Sequence, residues 1–419
     1  MRRLLFVLVS AVLSGLFLYA LYQDQNREWT HYQRKFVHSL EKNERRSVHG
    51  GIKQLIVNDL HRVDRCTTCH MAIDKPQLAL AEEPFTAHPG DYLKWHPPEK
   101  FGCTVCHGGQ GLATEVKAGH GEVPHWDRPL LRGQLVQASC YKCHGDVDQI
   151  AQHVPKLTQG MALFKQLGCV GCHAVNGFGQ TVSVDLSDVG DKPLQLLDFT
   201  FVETEGGEGE GHAQLKDWIG QHFLDPRKIT PGFRKDELPP GEEEVFPTFM
   251  PNYGLSDDEA QALTTYMLGL TAESLPAKYV TPPPATKPEP AYTSTVSRGK
   301  AVFEKYGCVG CHGQQGMGGR RNFNSQWYQE IPSLVYVKMY YDHDALKEFI
   351  KTGRQPVPRI NETRPRPPTF MPAWKDRIPD DEIDALVDYL FSLYDKVPQE
   401  QAPATSATPA PAAEPAPAS

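Results

Sequence analysis

The chain has 419 residues, room for two to four domains, and its 40 % hydrophobic and 22 % charged residues are an ordinary globular balance. A net charge of −8 argues against a nucleic-acid partner. Gly and Pro, at 35 each, point to many loops and few long regular elements.

Residues 4–22 form an almost unbroken apolar run behind Arg2 and Arg3. As a helix the run nearly spans a hydrocarbon core, and the arginines put its N-terminal end in the cytoplasm. The expectation is a transmembrane signal-anchor over residues 1–22 that touches membrane lipid through residues 4–22. The chain is then single-pass in a bacterial inner (cytoplasmic) membrane, with its bulk in the periplasm. A cleaved secretory signal is the competing reading. Against it stand the length of the run and the lack of a following A-x-A-like site.

Residues 23–49 are polar, with Trp29, Tyr32, Phe36 and Leu40 at helical spacing. They predict a stand-off helix whose apolar stripe packs on the next domain. Residues 50–155 hold Cys66/Cys69/His70, Cys103/Cys106/His107 and Cys140/Cys143/His144. The surrounding sequences do not match, so this is no repeat, and such a Gly- and Pro-dense segment builds little core from side chains alone.

Residues 156–275 and 296–396 are an internal repeat. GMALFKQLGCVGCH aligns with GKAVFEKYGCVGCH, giving Cys169/Cys172/His173 and Cys308/Cys311/His312, and FPTFMP aligns with PPTFMP. Each copy ends in an amphipathic helix opened by Ser or Pro and acidic residues. The first copy is longer between its His and its Met. The extra residues are expected in the acidic runs Glu203–Gly211 or Glu242–Glu244, as a solvated loop. A Pro-rich linker, residues 276–295, separates the copies, and the Ala/Pro-rich tail 397–419 is expected to be disordered.

All ten cysteines lie in C-x-x-C pairs, and His follows every pair. C-x-x-C-H is the attachment sequence of c-type haem: two thiols add to the porphyrin vinyl groups and the His becomes the proximal iron ligand. Zinc sites, redox dithiols and disulfides also use C-x-x-C, but none of them calls for His after all five pairs. The expected cofactors are therefore five covalently bound haem c groups, each with its iron. No catalytic residue is assigned.

Met250 and Met371 sit in T-F-M-P, a loop setting suited to a sixth iron ligand. On these residues each copy resembles a class I cytochrome c domain. The resemblance implies a small all-α fold in which Gly160/Phe164 and Gly299/Phe303 pack against Tyr266 and Tyr389. It also implies His/Met ligation by His173/Met250 and His312/Met371. Met71, Met161, Met267, Met317 and Met339 lack the loop setting and are expected to pack.

The first three motifs have no T-F-M-P, but His88, His96, His120 and His125 lie among them, and at most three can be distal ligands there. His49, His61 and His153 are weaker candidates. The run CTTCH…AHP…HPPEKFGCTVCHGGQG…PHWDRPLL…SCYKCH resembles the N-terminal multihaem part of membrane-anchored cytochromes found beside bc-type or alternative complex III-type quinol-oxidising systems. The fold expected overall is mainly α: one N-terminal transmembrane helix, a loop-rich trihaem module, then two class I domains.

Methionine ligation raises a haem potential above that of a second His. Electrons are thus expected to enter from a cytochrome b or other quinol-oxidising membrane subunit. They would pass through the trihaem module to the two His/Met haems, and on to a soluble cytochrome or terminal oxidase. The chain reads as an electron-transfer subunit more than an enzyme on its own. The alternative is a multihaem oxidoreductase with one open-coordination N-terminal haem acting on a small inorganic substrate. An extracellular filament fits poorly with an anchor and two tethered class I domains.

Overall fold

A computed structural model describes residues 2–124, 126–180, 182–204, 213–232, 245, 247–282, 290–322, 324–326, 330–361 and 368–396. His125, most of the acidic run beginning at Glu203, Glu242–Glu244, the middle of the linker and the tail 397–419 lie outside the described residues.

The fold is mainly α. Its longer helices are α1 (Arg2–Gln25), α2 (Glu28–Ser39), α3 (Pro155–Gln166), α4 (Leu215–Leu224), α5 (Asp257–Gly269), α6 (Thr295–Lys305), α7 (His343–Thr352) and α8 (Asp380–Tyr394). Among the described strands the longest pairing is an antiparallel hairpin, β1 (Leu55–Val57) with β2 (Arg62–Asp64), Leu55 opposite Asp64. The chain divides into two compact units. One is Met1–Lys156, Gly190–Gln221 and Leu268–Pro283; the other is Leu157–Val189, His222–Met267 and Pro284–Ser419.

In the first unit, α1 buries none of its residues and is long and apolar enough to cross a membrane, the build of an anchor or a signal sequence. The helix α2 turns its stripe inward. Phe36 is buried against Met71, Ala72 and Phe85, with Tyr32 and Leu40 alongside. Residues 50–154 run mostly through irregular backbone broken by short helical turns, as their Gly and Pro content predicts.

The start of the Pro-rich linker is not a free spacer. Leu275 and Tyr279 pack on Val57, Leu60, Val105 and Phe101, and the Tyr279 hydroxyl donates to Asp59 (3.1 Å). The physical reason is that this Pro-rich run carries enough apolar surface to be worth burying.

In the second unit each repeat crosses its first helix over its last. A Cβ at Gly160 would overlap the Ala262 carbonyl, and one at Gly299 the Ala385 carbonyl, so both crossings need a bare backbone. Phe164 stacks edge-on to Tyr266 at 5.3 Å, and Phe303 tilts against Tyr389 at 5.5 Å. Acidic residues open α5 (Asp257, Asp258, Glu259) and α8 (Asp380, Asp381, Glu382), where the helix dipole favours them. Ser294 and Ser297 close a capping box on α6.

Candidate haem sites

Each C-x-x-C-H segment closes one helical turn. The histidine amide donates to the first cysteine carbonyl at 2.9 Å in the turns at Cys66, Cys140 and Cys169 and at 3.0 Å in the turn at Cys103; Cys308–His312 is a short α-helix. Positions i, i+3 and i+4 share a face of such a turn, which points both thiols and the imidazole the same way.

Outside hydrogen bonds fix these turns. Gln33 of α2, 6 % exposed, donates to the Thr68 carbonyl (3.0 Å), and Thr68 exchanges hydrogen bonds with the Lys53 backbone. Asp64, 1 % exposed, accepts from the Cys103 amide (2.5 Å), the Thr104 amide (3.0 Å) and the Thr104 hydroxyl (2.7 Å). The Thr281 amide donates to the Cys143 carbonyl (2.7 Å) and the Gly145 amide to the Thr281 carbonyl (2.9 Å).

The three turns of the first unit bring each motif histidine opposite another histidine. Ring centroids lie 6.4 Å apart for His70 and His120, 6.1 Å for His107 and His88, and 6.2 Å for His144 and His96. Two imidazole nitrogens each about 2 Å from one metal, with about 1 Å of ring radius behind each, put centroids roughly 6 Å apart. Direct ring packing has no need of three such pairs, each with one motif histidine.

Burial holds His70, His107, His120 and His144 below the ordinary imidazole value, so they stay neutral, the form that binds metal. The Nδ1 of His88 faces the Pro89 carbonyl (3.0 Å), leaving Nε2 for a metal. His120 departs from this pattern: Arg132 Nη2 donates to its Nδ1 at 3.1 Å. A metal on His120 Nε2 requires that guanidinium to turn to Glu122, which it already meets at 2.6 Å. His153 packs instead against Tyr92 and Trp95.

The cysteines of neighbouring turns also meet. Cys66 lies near Cys103 and Cys106 near Cys143, each close enough to influence the other's ionisation. Beside them lies an ion cluster that sequence reasoning missed. Glu273 pairs with Arg62, Lys142 (3.2 Å) and Arg128 (3.6 Å), and Arg128 also reaches Asp191 (2.9 Å).

In the second unit the motif histidines are held through Nδ1, which leaves Nε2 for a metal. His173 Nδ1 donates to the Val184 carbonyl (2.8 Å) and His312 Nδ1 to the Pro332 carbonyl (3.0 Å). Met250 and Met371 are both half-buried in irregular backbone. Asn322 holds the Met371 loop by bonding both the Thr369 amide (2.8 Å) and the Thr369 carbonyl (2.9 Å), and Met371 packs on the core beside Cys308. Thr248 holds the other loop, its amide donating to the Thr230 carbonyl (3.1 Å) and its hydroxyl accepting from the Met250 amide (3.2 Å). Met71 and Met267 are buried core residues, as expected, whereas Met317 is exposed.

The residues fit haem in a further way. Buried donors without an acceptor include Arg62 Nε, Arg320 Nε and Trp374 Nε1. Buried donors are rarely orphaned, and a propionate is an acceptor of the right kind.

Two family models match the chain. One, described as Cytochrome c, covers residues 157–271; the other, described as Cytochrome C oxidase, cbb3-type, subunit III, covers residues 294–390. No curated protein and no solved structure matches the chain. Residues 157–271 and 294–390 are therefore cytochrome c domains, the class that binds haem c covalently and transfers electrons.

Proposed function

We propose that the chain is a membrane-anchored pentahaem cytochrome that relays electrons from a quinol-oxidising membrane partner to a terminal acceptor, its bulk in the periplasm. The facing histidines of the first unit carry this reading, because they add three sites to the two cytochrome c domains. His70 with His120, His107 with His88, and His144 with His96 would each hold the iron of one haem. His173 pairs with Met250 and His312 with Met371. His125 is left without a ligand role.

Haem iron held in this way supplies one-electron exchange. The chain's own part is to supply the residues that would hold the iron, to bury the imidazoles so that they remain neutral, and to orient them through carbonyls such as those of Val184 and Pro332. The neighbouring cysteines of the first unit support an order in which the second site lies between the first and third. Methionine ligation puts the two C-terminal sites at the high-potential end, so electrons leave through them. The likeness of residues 294–390 to an oxidase subunit supports a terminal oxidase as acceptor; a soluble cytochrome is the other. A cytochrome b, or another quinol-oxidising subunit, is the donor.

An enzyme with one open iron draws no support from the pairing, since each of the three motif histidines faces a second imidazole. The test is intact mass and pyridine hemochrome on mature protein from a host that attaches haem c. Five haems per chain are expected, and fewer sinks the reading. A redox titration in which the methionine-ligated haems have the lower potentials reverses the direction. Purification from native membranes without any quinol-oxidising subunit removes the donor.

A further inference from the structure

The attachment turns of the two cytochrome c domains interlock. A Cβ at Gly168 would strike the Gly310 amide, and one at Gly310 the Gly168 carbonyl. In the same way a Cβ at Gly307 would strike the Gly171 amide, and one at Gly171 the Gly307 carbonyl. The four contacts are reciprocal, so the turns meet about a local two-fold. At their junction Cys311 Sγ lies 3.8 Å from the Gly171 carbonyl oxygen, one residue before Cys172. Gln314 Nε2 donates to the Gln166 carbonyl and Arg377 Nη1 to Gln180 Oε1, both at 3.0 Å, so the contact is held on either side.

The four glycines do not have the same cause. Gly168 and Gly307 have φ of +72° and +73°, a conformation that calls for glycine whatever lies nearby. Gly171 and Gly310 have no positive φ. They occupy the second x of C-x-x-C-H, a position the attachment chemistry leaves open. What excludes a side chain from each of them includes the backbone of the other domain's turn.

We propose that Gly171 and Gly310 are positioning residues that seat the two C-terminal haems edge to edge for direct electron exchange. Their missing Cβ atoms let the two turns close backbone to backbone, until Cys311 Sγ reaches the Gly171 carbonyl. This rests on the reading that both turns carry thioether-bound haem. The exchange moves one electron from the reduced site to the oxidised one; no bond forms or breaks and no proton moves.

The test uses the oxidised full-length holoprotein and its electron paramagnetic resonance in the field range of methionine-ligated ferric iron. Two sites in edge contact broaden each other beyond the lines of isolated haems. The wild type is expected to show that coupling. Gly171→Val and Gly310→Val should lose it while pyridine hemochrome still counts the full haem complement. Where a valine variant sheds haem, Gly171→Ala and Gly310→Ala, which add a single carbon, repeat the measurement. Uncoupled lines in the wild type, or unchanged coupling in variants that keep their haem, overturn the proposal. Failure of the underlying reading looks different: pyridine hemochrome of the wild type then falls short of the full haem complement.

Discussion

His96 faces His144 at 6.2 Å, ring edge to ring face, although the two come from separate loops with the whole second attachment motif between them in sequence. His88 meets His107 edge to face in the same way, and His120 meets His70 at a smaller ring angle. His88→Ala, His96→Ala and His120→Ala should therefore each leave haem attached, since the thioethers stay, but convert one site from low to high spin. Optical spectra and pyridine hemochrome on the same samples check this. Carbon monoxide should bind each reduced variant at the opened iron. His125→Ala should match the wild type, and high-spin haem in that variant would refute the pairing.

Helix crossing makes a second prediction. Valine at Gly299 drives a branched side chain into the Ala385 carbonyl and forces α6 from α8. Overpacking of this kind costs about 1–3 kcal/mol. The unfolding free energy from chemical denaturation, followed by the methionine–iron band, should fall by that amount for the second cytochrome c domain, and Gly160→Val should do the same in the first.

Asp64 offers a third. Its carboxylate takes three hydrogen bonds at the second attachment turn, and its surroundings have no room to replace it: a Cβ at Gly102 or Gly111 would overlap its oxygens. Asp64→Ala strands two amides and a hydroxyl, at a cost of about 2–4 kcal/mol by the usual penalty for unmet buried donors. Thermal unfolding of the holoprotein should shift down accordingly. An unchanged transition would mean that water replaces the carboxylate without loss.

How much of this the sequence shows depends on how local the chemistry is. Covalent attachment needs its two thiols and its imidazole on one helical turn, so all five motifs are legible from spacing alone. The helix pair of each cytochrome c domain is legible for the same reason, through Gly160, Phe164 and Tyr266 and their counterparts. The histidine pairs are tertiary facts: His88, His96, His120 and His125 look alike in sequence, and only folding brings three named pairs together. Asp64 and Glu273 are ordinary acids until their partners arrive from other segments. Leu275 and Tyr279 sit at the edge of a Pro-rich run whose composition says spacer, yet they bury apolar surface. Gly171 and Gly310 read as free positions because what constrains them includes the other turn.

Glu273 gives the pH prediction. Burial acts to raise its carboxyl, but Lys142, Arg62 and Arg128 together outweigh burial and hold it below the ordinary glutamate value. A carboxyl lowered in the folded state adds stability that is fully present above its unfolded value of about 4.3 and is lost as pH falls through the folded value. Glu273→Gln leaves three cations crowded together, with Arg62 and Lys142 only 20 % and 14 % exposed. The variant should therefore melt below the wild type near neutral pH. The gap should close once acid protonates Glu273 in the folded protein, because both chains then carry a neutral group there. Melting temperatures of the two proteins across an acid series decide the matter, and a gap that persists unchanged into strong acid would show that packing, not charge, is what the glutamate provides.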